Sequence, residues 1–403
     1  MINSKGRTTA PVNIFSPFGK RKAPSQEFFV PPEEDTSSEG EGSAESDPSS
    51  GQSPDEYQPQ HRSAYHEPLS PSTDTESSFS PNNMFGETPF IPTTLIPLRA
   101  YRYRAARDAW KHIQTYSGEE IRDMLDDPDA SYPTGVRIIT WNIDMQSPNL
   151  VERLHAVLRH LEREVLLCAD SQAPFEPCII CLQEVHQDVI PELLADEWVK
   201  RNFAITPISS SKWPMSSPYG NVTLVSKDLP LVKAEILHYG NSRMARTALA
   251  VYVMLSEPEP SAENAVICIV NTHLESLKIG STSRPKQMEL AARFLKQVEV
   301  RGGVVVGDMN PVGPQDEDLP LSVGLRDTWR RGSDASGHTW GYQGNQGFPP
   351  ARFDKILYLP RRGYKMDPPE IIGKGVRTLE GQWASDHYGL ESMLRLVTRR
   401  NST

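Results

Sequence analysis

From Gly135 onward the chain is built of short apolar runs, each stopped within a few residues by polar or turn-forming residues: VRIITWNID, PCIICLQEV, NVTLVSK, TALAVYVML, AVICIVNTH, GGVVVGDMN, FDKILYL and HYGLESMLRL. Runs this short, rich in Val and Ile and bounded by turn residues, read as strands. Two amphipathic segments lie between them. One carries Leu154, Val157, Leu158, Leu161 and Val165, the other Met288, Ala291, Phe294, Leu295 and Val298, both at helical spacing. Strands outnumber helices and their runs need burial on one or both faces, so the pattern predicts an α+β fold, a two-sheet β-sandwich flanked by helices.

The first 92 residues are of another kind. They are rich in Ser, Pro, Glu and Asp, as in EEDTSSEGEGSAESDPSSGQSPDE, and bury too little apolar surface to offset chain entropy. Residues 1–92 therefore read as a disordered tail, and 135–398 as the main folded domain. Between them, 93–134 read as a helical lead-in, with Leu98, Tyr101, Ala105, Trp110 and Ile113 as a loose stripe before a second helix at Glu119–Leu125. Charge divides the same way. Residues 1–95 hold six Lys/Arg against 14 Asp/Glu, so most of the net charge of −10 lies outside the folded part, and that charge says nothing against an anionic substrate.

Four cysteines in 403 residues are too few for a disulfide framework, which points to a reducing compartment. No apolar run approaches the roughly 20 residues of a membrane helix, and the N-terminus lacks an apolar signal core. Secretion and membrane insertion are not expected. Lys20, Arg21 and Lys22 read either as a nuclear address or as solvated charge, so nucleus and cytoplasm both stay open. The aromatic islands at Phe15, Phe18, Phe28 and Phe29 read either as docking points for a protein partner or as scattered aromatics.

The chemistry gathers where the runs stop. VRIIT leads into Asn142 and Asp144, CIICL into Gln183 and Glu184, VICIV into Asn271, His273 and Glu275, and GGVVV into Asp308 and Asn310; Asp386 and His387 open the last strand. A residue at a strand end is held by the packed run behind it yet faces a surface. One such cluster is ordinary loop chemistry; five in one chain predict a common rim. Carboxylates and amides are hard oxygen donors suited to Mg²⁺ or Mn²⁺ rather than zinc. Cys178 and Cys181 form a CxxC, but odd spacing in a strand sends the two side chains to opposite faces, so both read as core thiols.

TWNID, LQEV, NTHLES, GDMN and SDHYGL, in that order over residues 136–396, resemble the motifs of the endonuclease/exonuclease/phosphatase superfamily. That resemblance implies a deoxyribonuclease I-like, four-layer α/β/β/α arrangement and a metal-dependent phosphoric diester hydrolase. TWNID, HTWGYQGN (338–345) and ARFDKILY (351–358) further resemble the 5′-tyrosyl-DNA phosphodiesterases. The resemblance implies that Glu184 ligates Mg²⁺, with Asn142, Asp144 and Asp386 holding the metal's waters or neighbouring ligands, and that Asp308, oriented by Asn310, activates water. It gives His273 and His387 to the phosphoryl oxygens, and Arg246, Ser276 and Trp340 to the substrate. Its implied partner is a DNA 5′ end bearing a tyrosyl adduct, and its implied setting is DNA repair. Met145 departs from the family pattern, which often has Gly after NID, and no helical ubiquitin-binding module precedes the domain.

In this scheme Asp386 is expected to keep its neighbour His387 protonated. Tyr219 reads either as a DNA contact or as packing, while Trp141, His338 and Arg352 read as structural, Arg352 in a salt-bridged loop with Asp354. Two other readings compete: the same fold acting on abasic DNA or a soluble phosphoester, and a non-catalytic scaffold.

Overall fold

The structure, a computed structural model, describes residues 93–398 apart from 169–175, 216, 260–262, 331–334 and 344–346. The expected tail, with Lys20–Lys22 and its aromatic islands, lies outside the described residues. One sheet runs β1 (Thr94–Leu98), β8 (Leu231–His238), β9 (Thr247–Ser256), β10 (Asn264–His273), β11 (Val300–Asp308), β13 (Asp354–Tyr358) and β12 (Arg326–Asp327) in spatial order. The second runs β14 (Tyr364–Met366), β16 (Gly389–Leu396), β4 (Gly135–Asn142), β5 (Cys178–His186), β7 (Tyr219–Ser226), β6 (Phe203–Thr206), β2 (Tyr101–Arg104) and β3 (Ala109–His112), with β15 (Glu370–Ile372) also on β16.

Alternation along the strands explains the layering. In β9 and β10, Leu249, Val251, Val253, Ile267 and Ile269 face the second sheet, whose Ile138, Ile180, Leu182, Val222 and Leu224 complete the inner core. Ala250, Tyr252, Met254, Cys268 and Val270 face outward, beneath Met288, Ala291 and Leu295 of the helical segment beginning at Arg284. The helix Leu150–His160 and its π-helical continuation Leu161–Val165 bury Leu154, Val157, Leu158, Leu161 and Val165. Two sheets between two helical layers match the expected four-layer sandwich. Val298 is the exception in its predicted stripe: the helix ends at Phe294, and Val298 is fully exposed.

Residues 94–112 correct a second expectation. They form three strands rather than a helix: β1 extends the first sheet along β8, and the β2–β3 hairpin extends the second along β6. The loose apolar spacing fits a helix on paper, but Thr94, Ile96, Tyr101, Tyr103 and Trp110 are strand formers, and exposed sheet edges supply their backbone partners. The lead-in is thus part of the sandwich. The second predicted helix is present at Gly118–Asp126, capped by Ser117 and Glu120 in a reciprocal box. Cys178 and Cys181 are free and fully buried; desolvation raises the Cys178 thiol to about 12 and also raises Cys181.

Each sheet carries one parallel pair at its centre, and this fixes the site. β10 lies parallel to β11 with His273 opposite Asp308, and β4 lies parallel to β5 with Asn142 opposite Gln183. Parallel neighbours finish at the same end, so four C-terminal ends from two sheets share one rim. Antiparallel β13 starts there, with Asp354 opposite Asp308, and the segment entering β16 brings His387 alongside.

Candidate active site

Asp308 is the hub. It is 2% exposed; its Oδ1 accepts from the Asn310 backbone amide (2.9 Å) and its Oδ2 accepts from Asn142 Nδ2 (3.1 Å). The same Oδ2 lies 3.3 Å from His273 Nε2 and 3.7 Å from His387 Nε2. Burial pushes the Asp308 carboxyl up to about 7; Asp354 and Glu184 add to the rise, while His387 and the Asn310 amide oppose it.

The two histidines carry opposite settings. His387 Nδ1 is 2.7 Å from Asp354 Oδ2. Burial alone would lower His387, but Asp354, Asp386 and Asp308 outweigh it and hold the ring well above its ordinary value, hence as a cation donating from both nitrogens. His273 is held well below its ordinary value by burial, with Arg246 and His387 adding to the effect. Arg246 Nη1 donates to His273 Nδ1 (2.8 Å), so the remaining ring proton sits on Nε2, toward Asp308.

Asp354 is the residue that sequence reasoning assigned elsewhere. It was paired with Arg352; instead Arg352 pairs with Asp327 (2.7 Å), and Asp354, fully buried, holds His387. Asp386, expected to favour the protonated form of that histidine, does so after Asp354, with its nearest oxygen 3.8 Å from Nε2, and accepts from Trp340 Nε1 through the other (2.9 Å). The register of β13 against β11 decides this, and local sequence does not contain it.

Glu184 sits where β5 is interrupted by a register shift between Leu182 and Val185, and its backbone is left-handed (φ 56°). Asp144 (φ 54°), Asn310 (φ 45°) and Ala245 before Arg246 also have positive φ, and so does Leu277 after Ser276, with an extended ψ of 174°. Left-handed backbone costs a non-glycine residue about 1–2 kcal/mol. Its concentration at one rim is a mark of a functional site. Glu184 Oε2 accepts from the Met145 amide (3.1 Å), and its Oε1 lies 3.8 Å from His273 Nδ1.

Asp144 is held from three sides. Its Oδ1 accepts from the Gln146 and Ser147 amides, and its Oδ2 is 2.9 Å from Arg153 Nη2, a guanidinium 2% exposed that also donates to the Ile143 and Asp144 carbonyls. These contacts brace the loop after β4. Glu184 and Asp386 keep oxygens free of short contacts. Among the described residues no three Asp, Glu, His or Cys side chains form a ready-made cage. Such a set fits Mg²⁺, which takes one or two carboxylates and fills its other positions with water or substrate oxygens. The raised carboxyls of Asp308 and Asp386, the latter through burial and then Asp144 and Glu184, show negative charge here that a cation would offset.

On the substrate side, Arg246 Nη2 donates to Ser276 Oγ (2.8 Å), and Nη1 donates to Tyr219 OH (3.1 Å) as well as to His273. Tyr219 therefore packs on the guanidinium. Glu275, left without a role by the sequence, accepts from Ser242 Oγ and from the Arg243 and Met244 amides, fixing the loop that delivers Arg246. Trp340 is stacked on Phe353 (centroids 4.8 Å, interplanar 11°) beside Asp386. All eleven predicted site residues thus converge on one rim.

Two mixed sheets with helices outside and this rim between them form the deoxyribonuclease I-like, four-layer fold. A Danio rerio TDP2 structure complexed with a single-strand DNA product matches with a TM-score of 0.51 at 20% identity, over 65% of this chain and 99% of that one. In sequence the chain is similar to the tyrosyl-DNA phosphodiesterases: tyrosyl-DNA phosphodiesterase 2 of Gallus gallus is 25% identical over 265 residues, 63% of this chain and 65% of that protein. The 5′-tyrosyl-DNA phosphodiesterase of Caenorhabditis elegans is 28% identical over 237 residues, 55% of this chain and 57% of that protein. The match thus spans somewhat less than two thirds of these relatives' length. No protein-family model matches.

Proposed function

We propose that this protein is a Mg²⁺-dependent phosphodiesterase that cleaves the 5′-phosphotyrosyl bond between DNA and a trapped topoisomerase, a step of DNA repair. One observation carries the reading: a buried carboxylate near neutrality, Asp308, set between a cationic and a neutral histidine on a carboxylate-rich rim. The similarity to proteins named for tyrosyl-DNA cleavage supports the choice of substrate. The nuclear setting follows from the proposed substrate.

A phosphodiester needs an activated nucleophile and a counter to its charge. Mg²⁺, held by Glu184 and Asp386, would polarise the phosphoryl group and offset its charge. Asp308 accepts a proton from the attacking water, with Asn142 and the Asn310 amide fixing the carboxylate's orientation. His387 and the Nε2 proton of His273 donate to the phosphoryl oxygens as charge builds. Arg246 holds His273 in that tautomer while Ser276 and Arg246 face the flanking phosphate. The departing phenol has a pKa of about 10, low enough to leave without a dedicated acid.

The test is a 5′-phosphotyrosyl oligonucleotide offered with Mg²⁺ beside an abasic duplex and an inositol phosphate. Release of tyrosine from the first, lost in Glu184→Gln, is the expected result. Cleavage confined to either of the others would replace the substrate while keeping the chemistry, and inertness toward all three would leave a scaffold.

A further inference from the structure

Beyond Trp340 the mouth of the site continues into a second aromatic rung that the reaction does not use. Trp340 and His387 are joined across a β-bridge, and the Tyr388 amide donates to the Thr339 carbonyl (2.7 Å), so 339–342 and 386–388 run side by side. Alternate residues of extended backbone point to opposite sides. His387 turns inward to Asp354 and Asp308, which places Asp386 and Tyr388 on the other side. Asp386 accepts from Trp340 Nε1 (2.9 Å), and Tyr388 stacks on Tyr342 with centroids 5.9 Å apart and planes at 15°. Gly341, in left-handed backbone (φ 95°), turns the chain between Trp340 and Tyr342, so the second rung follows the first across one bend.

The rung has the chemistry of a base platform. His338 adds a ring 6.5 Å from Tyr342, and Arg377 is spread over Trp383 at 3.6 Å, its charge opposing the burial that raises the Tyr388 hydroxyl. A pair serving only to pack would be covered, yet Tyr342 is 44% exposed. Successive bases of a single strand stack on aromatic faces while cations track the backbone.

We infer that Tyr342 and Tyr388, edged by His338 and Arg377, form a second stacking subsite for a nucleobase of single-stranded DNA, next along the strand from the base at Trp340. The inference rests on the reading of the site as a DNA phosphodiesterase, and it makes strand length beyond one nucleotide a determinant of affinity.

The test is the fluorescence anisotropy of a short 3′-labelled oligothymidylate with wild type, Tyr342→Ala, Tyr342→Phe and Tyr388→Leu, each checked for native circular dichroism. Removing a stacking ring weakens binding about tenfold. Tyr342→Ala and Tyr388→Leu are expected to show that loss, and Tyr342→Phe to bind like wild type. The subsite is wrong if Tyr342→Ala holds the oligomer as tightly as wild type, if Tyr342→Phe loses as much as Tyr342→Ala, or if wild type does not bind it. Hydrolysis of the p-nitrophenyl ester of thymidine 5′-phosphate by wild type with Mg²⁺ reports on the proposed activity separately. Ring-dependent binding without hydrolysis would remove the activity and keep the subsite.

Discussion

Two histidines flank one aspartate, and they differ only in what lies behind them. Behind His387 stands the buried carboxylate of Asp354; behind His273 stands the guanidinium of Arg246. Both rings are buried, so desolvation opposes charge on both, yet one is held protonated and the other neutral. Identity of the residue does not set its charge state. For His387 the partner at Nδ1, Asp354 of β13, heads the charges that outweigh burial; for His273 the partner, Arg246 of the loop entering β9, adds to burial. The pair gives Asp308 a fixed cation on one side and a neutral donor on the other, an asymmetry suited to a reaction in which Asp308 gains a proton while negative charge grows nearby.

The largest break in this comparison removes its centre. Asp308→Asn keeps both histidines and the Asn142 contact but takes away the proton acceptor, and turnover of a 5′-phosphotyrosyl oligonucleotide should fall about a thousandfold. A residual rate within tenfold of wild type would place the base elsewhere. Next comes Asp354→Asn, which should cost about a hundredfold in kcat through loss of the cationic ring. Its signature is in pH. Wild-type His387 stays protonated well above 6.5, so the alkaline fall in rate comes late; in the variant His387 loses its first counter-charge and that fall moves to lower pH. Stability follows the same sign. The raised pKa contributes stability that is full below about 6.5 and lost as pH rises through the folded value, so the variant's deficit in thermal midpoint should be greater at pH 6 than at pH 10. A pH-independent deficit would show that Asp354 only fills space.

What sequence could and could not reveal divides along the same lines. Asn142, Glu184, His273, Asp308 and His387 were legible because each ends or opens an apolar run, and strand ends at a sandwich rim are exposed by geometry alone. Asp354 stands after Phe353 in ARFDKILY with Arg352 two residues before it, so local reading gives it an ion pair with the wrong arginine. Asp144 was read by its chemistry alone, but the helix Leu150–His160 brings Arg153 under it. Both partners are fixed by tertiary packing, strand register for Asp354 and helix docking for Asp144. The strands at 94–112 escaped for a related reason: β1 pairs with β8, and the β2–β3 hairpin is anchored on β6, each more than a hundred residues away. β8 itself, LVKAEILH, mixes Lys, Ala and Glu into its run and carried no clear strand signal.

Arg246→Met is the mildest break and the one that most sharpens the comparison. Met keeps apolar bulk beside Tyr219 while withdrawing the guanidinium from His273 Nδ1 and Ser276. Burial, the first cause of the low His273 pKa, remains; the second is removed, so the value rises only part of the way toward 6.5. At neutral pH the ring is still neutral but no longer held in one tautomer, and kcat should fall about tenfold, with KM rising through the loss at Ser276. The acid side separates the two effects. In wild type the unfolded chain takes up a proton near pH 6.5 that folded His273 refuses, so stability contributed at neutral pH is lost as pH drops below that point. The variant, with its folded pKa nearer 6.5, should lose less stability between pH 6.5 and about 5, and its His273 ring proton should begin to titrate in NMR spectra over a range where the wild-type resonance is flat. Identical titration in the two proteins would assign the neutral ring to burial alone, and the contrast between the two histidines would then rest on Asp354 without any part for Arg246.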